Sequence, residues 1–248
     1  MPDKSSPTYV PVDLRAEGPA AGRRGKPRAR APLPHRARNP ELTRRQILQA
    51  AREEFAERGF DGARVDRIAE IAGANKRLLY HYYGNKEALY CAVLAEAYRE
   101  IRAGERALSL DSYEPEEAMD RLVRFTFRHF LEKPWFIRLL TTENLHNARF
   151  LKTLPEIREL HSPLVGQIHK LVERGAAKGV FRANVDPIQL YISIAALGYF
   201  YVSNIQTLSV IFGKDLKDFA LVQERESHAV DMVLSYLRTG IPPRLNGR

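Results

Sequence analysis

TRRQILQAAREEFAERGFDGARVDRIAEIAGANKRLLYHYYGNKEAL, residues 43–89, holds three short helical patterns separated by turns that contain glycine. The first pattern is predicted to end near Gly59 and the second at Gly73, because glycine commonly follows the last residue of a helix. The third opens at Asn75, whose side chain is a good N-cap. Two helices joined by a short turn that contains glycine are typical of a helix-turn-helix. The stretch therefore predicts that motif.

Two local signals predict where the first helix starts. Thr43 is followed three residues later by Gln46, which is the spacing of a capping box. Leu42 and Ile47 stand at the two positions of a hydrophobic staple. We therefore expect this helix to be capped at Thr43.

The same stretch resembles the N-terminal DNA-binding domain of the TetR family of bacterial transcriptional regulators. The matching elements occur in order and at the family's spacing: FAERGFDG (55–62), Ile68-Ala69, Ala72-Gly73, LYHYY (79–83) and NKEAL (85–89). The resemblance implies an all-α protein, with a three-helix helix-turn-helix domain followed by a larger helical domain for ligand binding and dimerisation. The implied function is that of a repressor that a small molecule releases from its DNA operator.

The composition limits the class of protein. The chain has 248 residues, 44% of them hydrophobic, and a single cysteine, which excludes an internal disulfide framework. It contains no zinc-protease, phosphate-loop or nucleophile-elbow motif and no Cys/His cluster at metal-ligand spacing, so we predict no enzyme, no metal and no cofactor. No run of about 18 apolar residues and no secretory pattern occurs, so we expect no membrane helix and a cytoplasmic location.

The positive charge is concentrated at the N-terminus. Residues 1–40 hold nine Lys/Arg and three Asp/Glu, and eight of the fifteen prolines, whereas the formal net charge of the whole chain is +9. Such a segment buries too little apolar surface to fold, so we expect disorder. It is either an arm that follows DNA phosphates or a solvated tail that adds nonspecific attraction, and we favour the arm.

The residues after 90 continue as helical patterns without strand alternation, which favours an all-α fold. Helices are predicted to begin at about Pro115, Pro134, Pro155, Asp186-Pro187 and Lys217. Pro163 is expected to kink or break the third of these. We divide the chain into a disordered arm (1–40), a DNA-binding domain (41–90), a ligand-binding and dimerisation domain (91–240) and a flexible tail (241–248).

The pattern from Ile188 to Tyr201 is apolar on nearly all sides, which predicts a helix that is buried all round, in a core or an interface. Its small residues Ala195, Ala196 and Gly198 permit close approach. The resemblance implies that the last two long helices pair with their copies in a four-helix bundle, so we expect a homodimer. The central core helix of a monomer is the alternative.

The third helix of the opening stretch is predicted to read double-stranded DNA, at a palindromic operator if the protein is a dimer. Lys76, Arg77 and Leu78 are assigned to base contact, with Arg77 the best candidate for guanine. Tyr80 and His81 resemble the family's phosphate and groove-edge contacts. The remaining predicted contacts, all to phosphate, are Thr43, Arg44, Arg64, Arg67 and Lys86.

Two departures from the family pattern carry structural expectations. Ala63 stands where Thr is frequent, so the second helix is expected to lose a side-chain cap. Tyr83 stands where Phe is frequent, so its hydroxyl must find a partner or reach water.

The second half offers residues for a small-molecule effector of unknown identity. A ligand site needs apolar walls with a few converging polar groups. The candidates are Tyr98, Arg102, Phe127, Phe130, Trp135, Phe136, Arg138, Glu143, Asn144 and His146. Ordinary core packing is the alternative for each aromatic residue. The alternative for the whole protein is an architectural DNA-binding protein without an effector.

Overall fold

The structure, a computed structural model, describes residues 40–154 and 156–238, without the side chains of residues 158 and 160–162. The predicted tail and the predicted arm, apart from Pro40, lie outside these residues. The described chain forms the helices Pro40–Gly62 (α1), Val65–Ile71 (α2), Lys76–Tyr83 (α3), Lys86–Ala107 (α4), Pro115–Glu132 (α5), Pro134–Leu145 (α6), Glu156–Ala177 (α7), Pro187–Phe212 (α8) and Phe219–Leu237 (α9). Between Phe181 and Arg238 lies an isolated β-bridge. The predicted all-α fold is confirmed.

The first helix starts earlier than predicted. Helix α1 begins at Pro40, whose fixed φ suits the first position of a helix. Thr43 is therefore buried inside the helix and Leu42 is 55% exposed, so the predicted capping box and hydrophobic staple are wrong. The predicted end near Gly59 is confirmed, since this residue interrupts the helix with φ 67° and ψ 179°.

The predicted cap of α3 is confirmed, and α4 is capped in the same way. Asn75 Oδ1 accepts from the Leu78 backbone N–H at 2.7 Å, and Asn85 Oδ1 accepts from the Ala88 N–H at 2.8 Å. Each side chain satisfies one of the backbone donors that a helix start leaves without an intrahelical partner. Together they fix both ends of the short connection between α3 and α4.

One apolar core joins the helix-turn-helix to the helices that follow it. The stripe of α1 that contains Phe55 packs on Tyr90 of α4, with ring centroids 4.9 Å apart. Tyr90 in turn packs at 4.9 Å on Phe150, and Phe150 lies 4.4 Å from Phe60. Residues on both sides of the predicted boundary at residue 90 therefore share a core, and the domain division stays a prediction.

A second core lies among α5, α7, α8 and α9. It buries Met119 and Leu122 of α5, Ile168 of α7, Ile194 of α8 and Leu237 of α9. Helix α7 runs from Glu156 to Ala177 with Pro163 inside it, so the predicted break does not occur. The prediction that Pro155 opens this helix lies outside the described residues.

Helix α8 is not buried all round in the single chain, so that expectation is wrong for one copy. Its inner face buries Leu190, Ile194, Gly198, Tyr201 and Ile205. Its outer face exposes Ile188, Ile192, Phe200, Val210, Ile211 and Phe212. The close approach at Gly198 is made to α5 of the same chain, because a Cβ there would lie 3.1 Å from the Phe130 ring.

The 26 residues of α8 are also long and apolar enough, by length and composition alone, to cross a membrane. Only 17% of its most apolar window is buried within the chain. The expectation that the chain has no membrane helix therefore stays a prediction. What covers the exposed face of α8 depends on how the protein functions.

Gly104 allows α4 and α5 to pack closely. A Cβ at this position would lie 2.4 Å from Cζ of Phe125, closer than real side chains approach. We predict that Gly104→Ala lowers the free energy of unfolding by about 1–3 kcal/mol, the usual cost of overpacking, in urea denaturation. Gly166→Ala on α7 is the matched control, since a Cβ there meets nothing within 4 Å. Equal stabilities of the two variants would contradict the prediction.

Candidate DNA-binding face and effector site

Helix α3 separates core residues from exposed residues cleanly. Leu79 is fully buried and Tyr83 is 8% exposed, and both pack in the core shared with α1 and α4. The opposite side exposes Lys76, Arg77, Tyr80 and His81, with Leu78 half-buried. The side chains predicted to meet bases and groove edges therefore lie on one accessible side of the helix.

Tyr83 fixes α3 against the start of α1. Its hydroxyl donates to the Arg44 backbone carbonyl at 3.0 Å, which provides the partner expected from the sequence. Burial raises the pKa of Tyr83, so the hydroxyl stays protonated and can donate. The Arg44 guanidinium also lies 5.9 Å from the centre of the Tyr83 ring.

Lys76 is held back against α2 by Asp66. Its Nζ lies 2.9 Å from Asp66 Oδ1 and 3.2 Å from Oδ2, and the hydrogen bond to Asp66 raises the pKa of Lys76. Arg77, next to it, is exposed and forms no ion pair with the residues that the structure describes. The two adjacent cations are thus in different states: one is already paired and the other is available to an incoming base.

Glu54 is a functional residue that sequence analysis missed. This carboxylate on α1 is 2% exposed; its Oε1 accepts from the Arg64 backbone N–H at 3.1 Å and its Oε2 lies 3.0 Å from Arg67 Nε. It takes over the role of the missing side-chain cap, because Arg64 at the N-cap of α2 has no side-chain cap of its own. An acidic residue within the apolar stripe of Ile47, Ala51 and Phe55 was the available signal.

Two other predicted phosphate contacts lie in less open surroundings. Thr43 is only 4% exposed, so little of its side chain can reach a ligand. Lys86 Nζ donates to the Asp61 carbonyl at 3.3 Å and lies 4.9 Å from the centre of the Phe60 ring. Both roles stay predictions.

The structure gathers some of the predicted effector residues. Phe136 lies 5.9 Å from Tyr98, 6.1 Å from Phe130 and 6.0 Å from Trp135, between ring centroids. These four side chains form one aromatic cluster between α4, α5 and α6. Phe127 packs elsewhere, with its ring 5.9 Å from Tyr201.

The other predicted effector residues are not part of this aromatic cluster. Arg138 and Asn144 are exposed. Glu143 is buried, and its Oε2 accepts from the Leu151 N–H at 3.1 Å, where it ties the 3₁₀ turn Leu151–Thr153 to α6. Arg102 is buried and pairs with Glu105, another residue that sequence analysis missed, at 2.9 Å. Burial raises the pKa of Glu105 to about 7, against the opposing effect of Arg102.

Several clefts occur in the described part of the chain. One of about 600 Å³ lies between α4 and α5, and one of about 520 Å³ lies between α8 and α9. None of the ten predicted effector residues lines either cleft. Within the same described ranges, no three His, Cys, Asp or Glu side chains group as metal ligands do.

Comparison with known proteins assigns both parts of the chain to one family. Residues 47–93 match the model for bacterial regulatory proteins of the tetR family, and residues 115–233 match the tetracyclin repressor-like C-terminal domain. The chain is 36% identical, over 203 residues, to the HTH-type transcriptional repressor NicS of Pseudomonas putida, covering 82% of this chain and 96% of that relative. The chain belongs to the TetR family of transcriptional regulators. The predicted function, a ligand-responsive DNA-binding repressor and not an enzyme, is thereby confirmed.

Further similarities agree with membership of the TetR family. The HTH-type transcriptional regulator RutR of Escherichia coli is 29% identical over 209 residues, which are 84% of this chain and 95% of that protein. The crystal structure of the putative regulator SCO4942 of Streptomyces coelicolor gives a TM-score of 0.60 at 26% identity, covering 79% of this chain and 98% of that chain. KstR2 of Mycobacterium tuberculosis gives 0.61 at 20% identity, covering 79% and 95%, which shows a shared fold alone.

In this TetR-family chain, His146 links the C-terminal helices to the end of α1. Its Nε2 lies 3.1 Å from Asp61 Oδ2 and its Nδ1 lies 2.8 Å from the Thr142 carbonyl oxygen. Both partners are acceptors, so both bonds form only when both ring nitrogens carry protons. These bonds, that to Thr142 first, raise the pKa of His146. The residue predicted to bind effector thus lies at the junction with the DNA-binding helices.

We predict that the stabilisation from His146 is lost as pH rises. A raised folded-state pKa means that the stabilisation is complete below the ordinary histidine pKa of 6.5 and disappears through the higher folded-state pKa. The difference in unfolding free energy between the wild type and His146→Gln should therefore shrink from pH 5.5 towards pH 8.5, roughly the span over which histidine titrates, in urea titrations. Asp61→Asn should reduce the same pH-dependent difference. A difference that grows with pH would show that the link does not need the imidazolium.

Proposed function

We propose that the protein acts in the bacterial cytoplasm as a homodimeric repressor. Its two α3 helices enter successive major grooves of a palindromic operator, and a small molecule bound among the middle helices releases it. The observation that carries this proposal is the uncovered apolar face of α8 and α9, because a single helix-turn-helix needs a second copy to read a two-fold site.

The exposed face has the features of a dimer interface. On α8, Ile188, Ile192 and Phe200 follow one another at helical spacing and are each more than half exposed. On α9, Met232 is 51% exposed and Tyr236 is 46% exposed. These two residues, with Phe200, also line the cleft of about 520 Å³ between the helices. A face that combines a projecting ring with an apolar cleft suits a self-complementary two-fold contact.

We predict that Phe200→Asp converts the protein to a monomer. A charge in the apolar centre of the interface should raise the dimer dissociation constant by at least about 30-fold, which corresponds to roughly 2 kcal/mol. Sedimentation velocity over a range of concentrations measures this constant. Leu145→Asp is the matched control, because Leu145 is 77% exposed on α6, outside α8 and α9. A dimeric Phe200→Asp protein would exclude this face as the interface.

The residues of α3 and α2 divide the work of DNA binding. Arg77 is exposed at the start of α3, where a recognition helix reaches base edges, and its planar fork matches guanine. Arg64, Arg67 and Lys86 lie on the flanking helices, where cations meet phosphates and fix the orientation of the helix. Lys76 must first exchange its contact with Asp66 for a contact with DNA. Specificity therefore depends chiefly on Arg77.

We predict that Arg77→Ala weakens operator binding by about 1–3 kcal/mol and leaves binding to random DNA nearly unchanged. Selection from a random DNA library with the full-length protein supplies the operator, and fluorescence anisotropy at fixed salt measures both affinities. Arg99→Ala, a change on the exposed side of α4, is the control for loss of one positive charge. An equal loss on both DNAs would assign Arg77 to a phosphate.

Helix α4 supports the proposed route from effector to operator. It begins at Lys86, with two residues between it and the end of α3, and continues without a break to Ala107. Its C-terminal half carries Arg102 and Glu105, both buried among the helices of the second half. Since a helix moves as a rigid element, an effector that tilts α4 also displaces α3. Two displaced α3 helices no longer match the groove spacing.

A further inference from the structure

A cluster of buried polar groups lies where α4, α5 and α8 meet. Arg102 and Glu105, one turn apart on α4, are 2% and 1% exposed, and His129 on α5 is 5% exposed. Arg102 Nη2 donates to the Tyr191 hydroxyl at 2.7 Å, and Nη1 lies 2.9 Å from Glu105 Oε2. The His129 ring lies 5.8 Å from the ring of Phe125, which packs against Gly104 between Arg102 and Glu105. The charge of Arg102 also contributes to lowering the pKa of His129. The three side chains thus form one group in the interior.

The hydrogen bonds within the cluster do not satisfy all of its buried polar atoms. Within the described structure, five of its buried atoms have no hydrogen-bond partner: Arg102 Nε and Nη1, Glu105 Oε1 and Oε2, and His129 Nε2. The contact between Nη1 and Oε2 is an ion pair without hydrogen-bond alignment. Arginine contributes donors and glutamate contributes acceptors, while the imidazole nitrogen is one or the other according to its tautomer. Buried polar groups are normally paired, so this set indicates a missing partner.

The surroundings of the cluster are aromatic. The His129 ring lies 5.2 Å from Phe136 and 5.8 Å from Phe125, and the Arg102 guanidinium lies 5.3 Å from the centre of the Tyr191 ring. His129 and Phe125 also line the cleft of about 600 Å³ between α4 and α5. A route from the surface therefore reaches one member of the cluster. Apolar walls with a few converging polar groups are typical of small-molecule sites.

We propose that Arg102, Glu105 and His129 form the effector site, and that it takes a small uncharged amide. The amide carbonyl accepts from Arg102, and the amide N–H donates to Glu105. The inference rests on the proposed function and names the chemical class of its effector.

Charge balance is the reason for an uncharged ligand. Above the pKa of about 7 to which burial raises Glu105, its carboxylate is charged and neutralises Arg102, so an anion would meet the Glu105 carboxylate and a cation would meet the guanidinium. Burial lowers the pKa of His129 to about 4, so this ring adds no positive charge at neutral pH. A ligand that presents a hydrogen-bond donor and an acceptor side by side provides partners for the Arg102 donors and for the Glu105 acceptors, and it adds no charge.

The first test compares three probes on the unmodified, full-length protein in the absence of DNA, by ligand-observed NMR titration. Benzamide offers both groups, N,N-dimethylbenzamide lacks the N–H donor, and benzoate is an anion of nearly the same shape as benzamide. We expect benzamide to bind at least about tenfold more tightly than either of the others, because a site built for a hydrogen bond rejects ligands that lack it. Benzoate binding as tightly as benzamide, or no binding of benzamide, would overturn the proposal.

The second test uses a matched pair of variants on α4. Glu105→Gln should weaken benzamide binding by about tenfold or more, whereas Glu96→Gln, the same change at an exposed position, should leave it unchanged. Circular dichroism confirms that each variant is folded, and the three-probe comparison does not depend on any variant. Unchanged binding in Glu105→Gln would remove Glu105 from the site.

Release of operator DNA is measured separately by anisotropy, so the two proposals can fail independently. Benzamide that binds with the expected pattern but releases no DNA would overturn the effector role of the cluster. Release by other small molecules, without benzamide binding, would support the proposed function and overturn this site.

Discussion

The packing around Tyr90 is the contact on which the rest of the structure depends. This fully buried ring lies 4.9 Å from Phe55 of α1, 5.2 Å from Phe60 and 4.9 Å from Phe150, which follows α6. It therefore joins the helices that present α3 to those that form the second half. Protein interiors are packed as densely as organic crystals, so such a junction passes on a displacement and does not absorb it. A regulator that must couple two distant sites needs a junction of this kind.

Buried charged side chains restrict the angles between helices, which apolar packing alone would leave less restricted. Glu54 holds the start of α2 through the Arg64 N–H, and Glu226 of α9 accepts from Arg128 of α5 at 2.5 Å and 3.0 Å. Each of these carboxylates lies nearly buried and joins two helices. Glu54 joins consecutive helices, whereas Glu226 and Arg128 are 98 positions apart in the sequence. A hydrogen bond restricts direction as well as distance, whereas an apolar contact restricts chiefly distance. The angles between helices are set in part by these few polar contacts.

Local chemistry was predictable from the sequence, and long-range polar contacts were not. Asn75, Asn85 and the interruption at Gly59 followed from neighbouring residues, because caps and turns are decided within one or two helical turns. The start at Pro40 was missed because proline at the first position and threonine at a cap compete within the same four residues. Partners such as Arg102 with Tyr191 lie 89 positions apart and depend on how helices pack.

The outer face of α8 shows a further limit, since burial belongs to the complete assembly and not to one chain. The apolar pattern on all sides predicts burial on all sides, yet α5, α6, α7 and α9 cover only the inner face. By length and composition the same helix would suit a lipid bilayer, so composition alone does not decide what covers the outer face. Gln189 and Gln206 are exposed on α8, and their amides are costly in hydrocarbon but acceptable at a protein interface that keeps some water. The proposed second copy of the chain would account both for these polar groups and for the apolar residues between them.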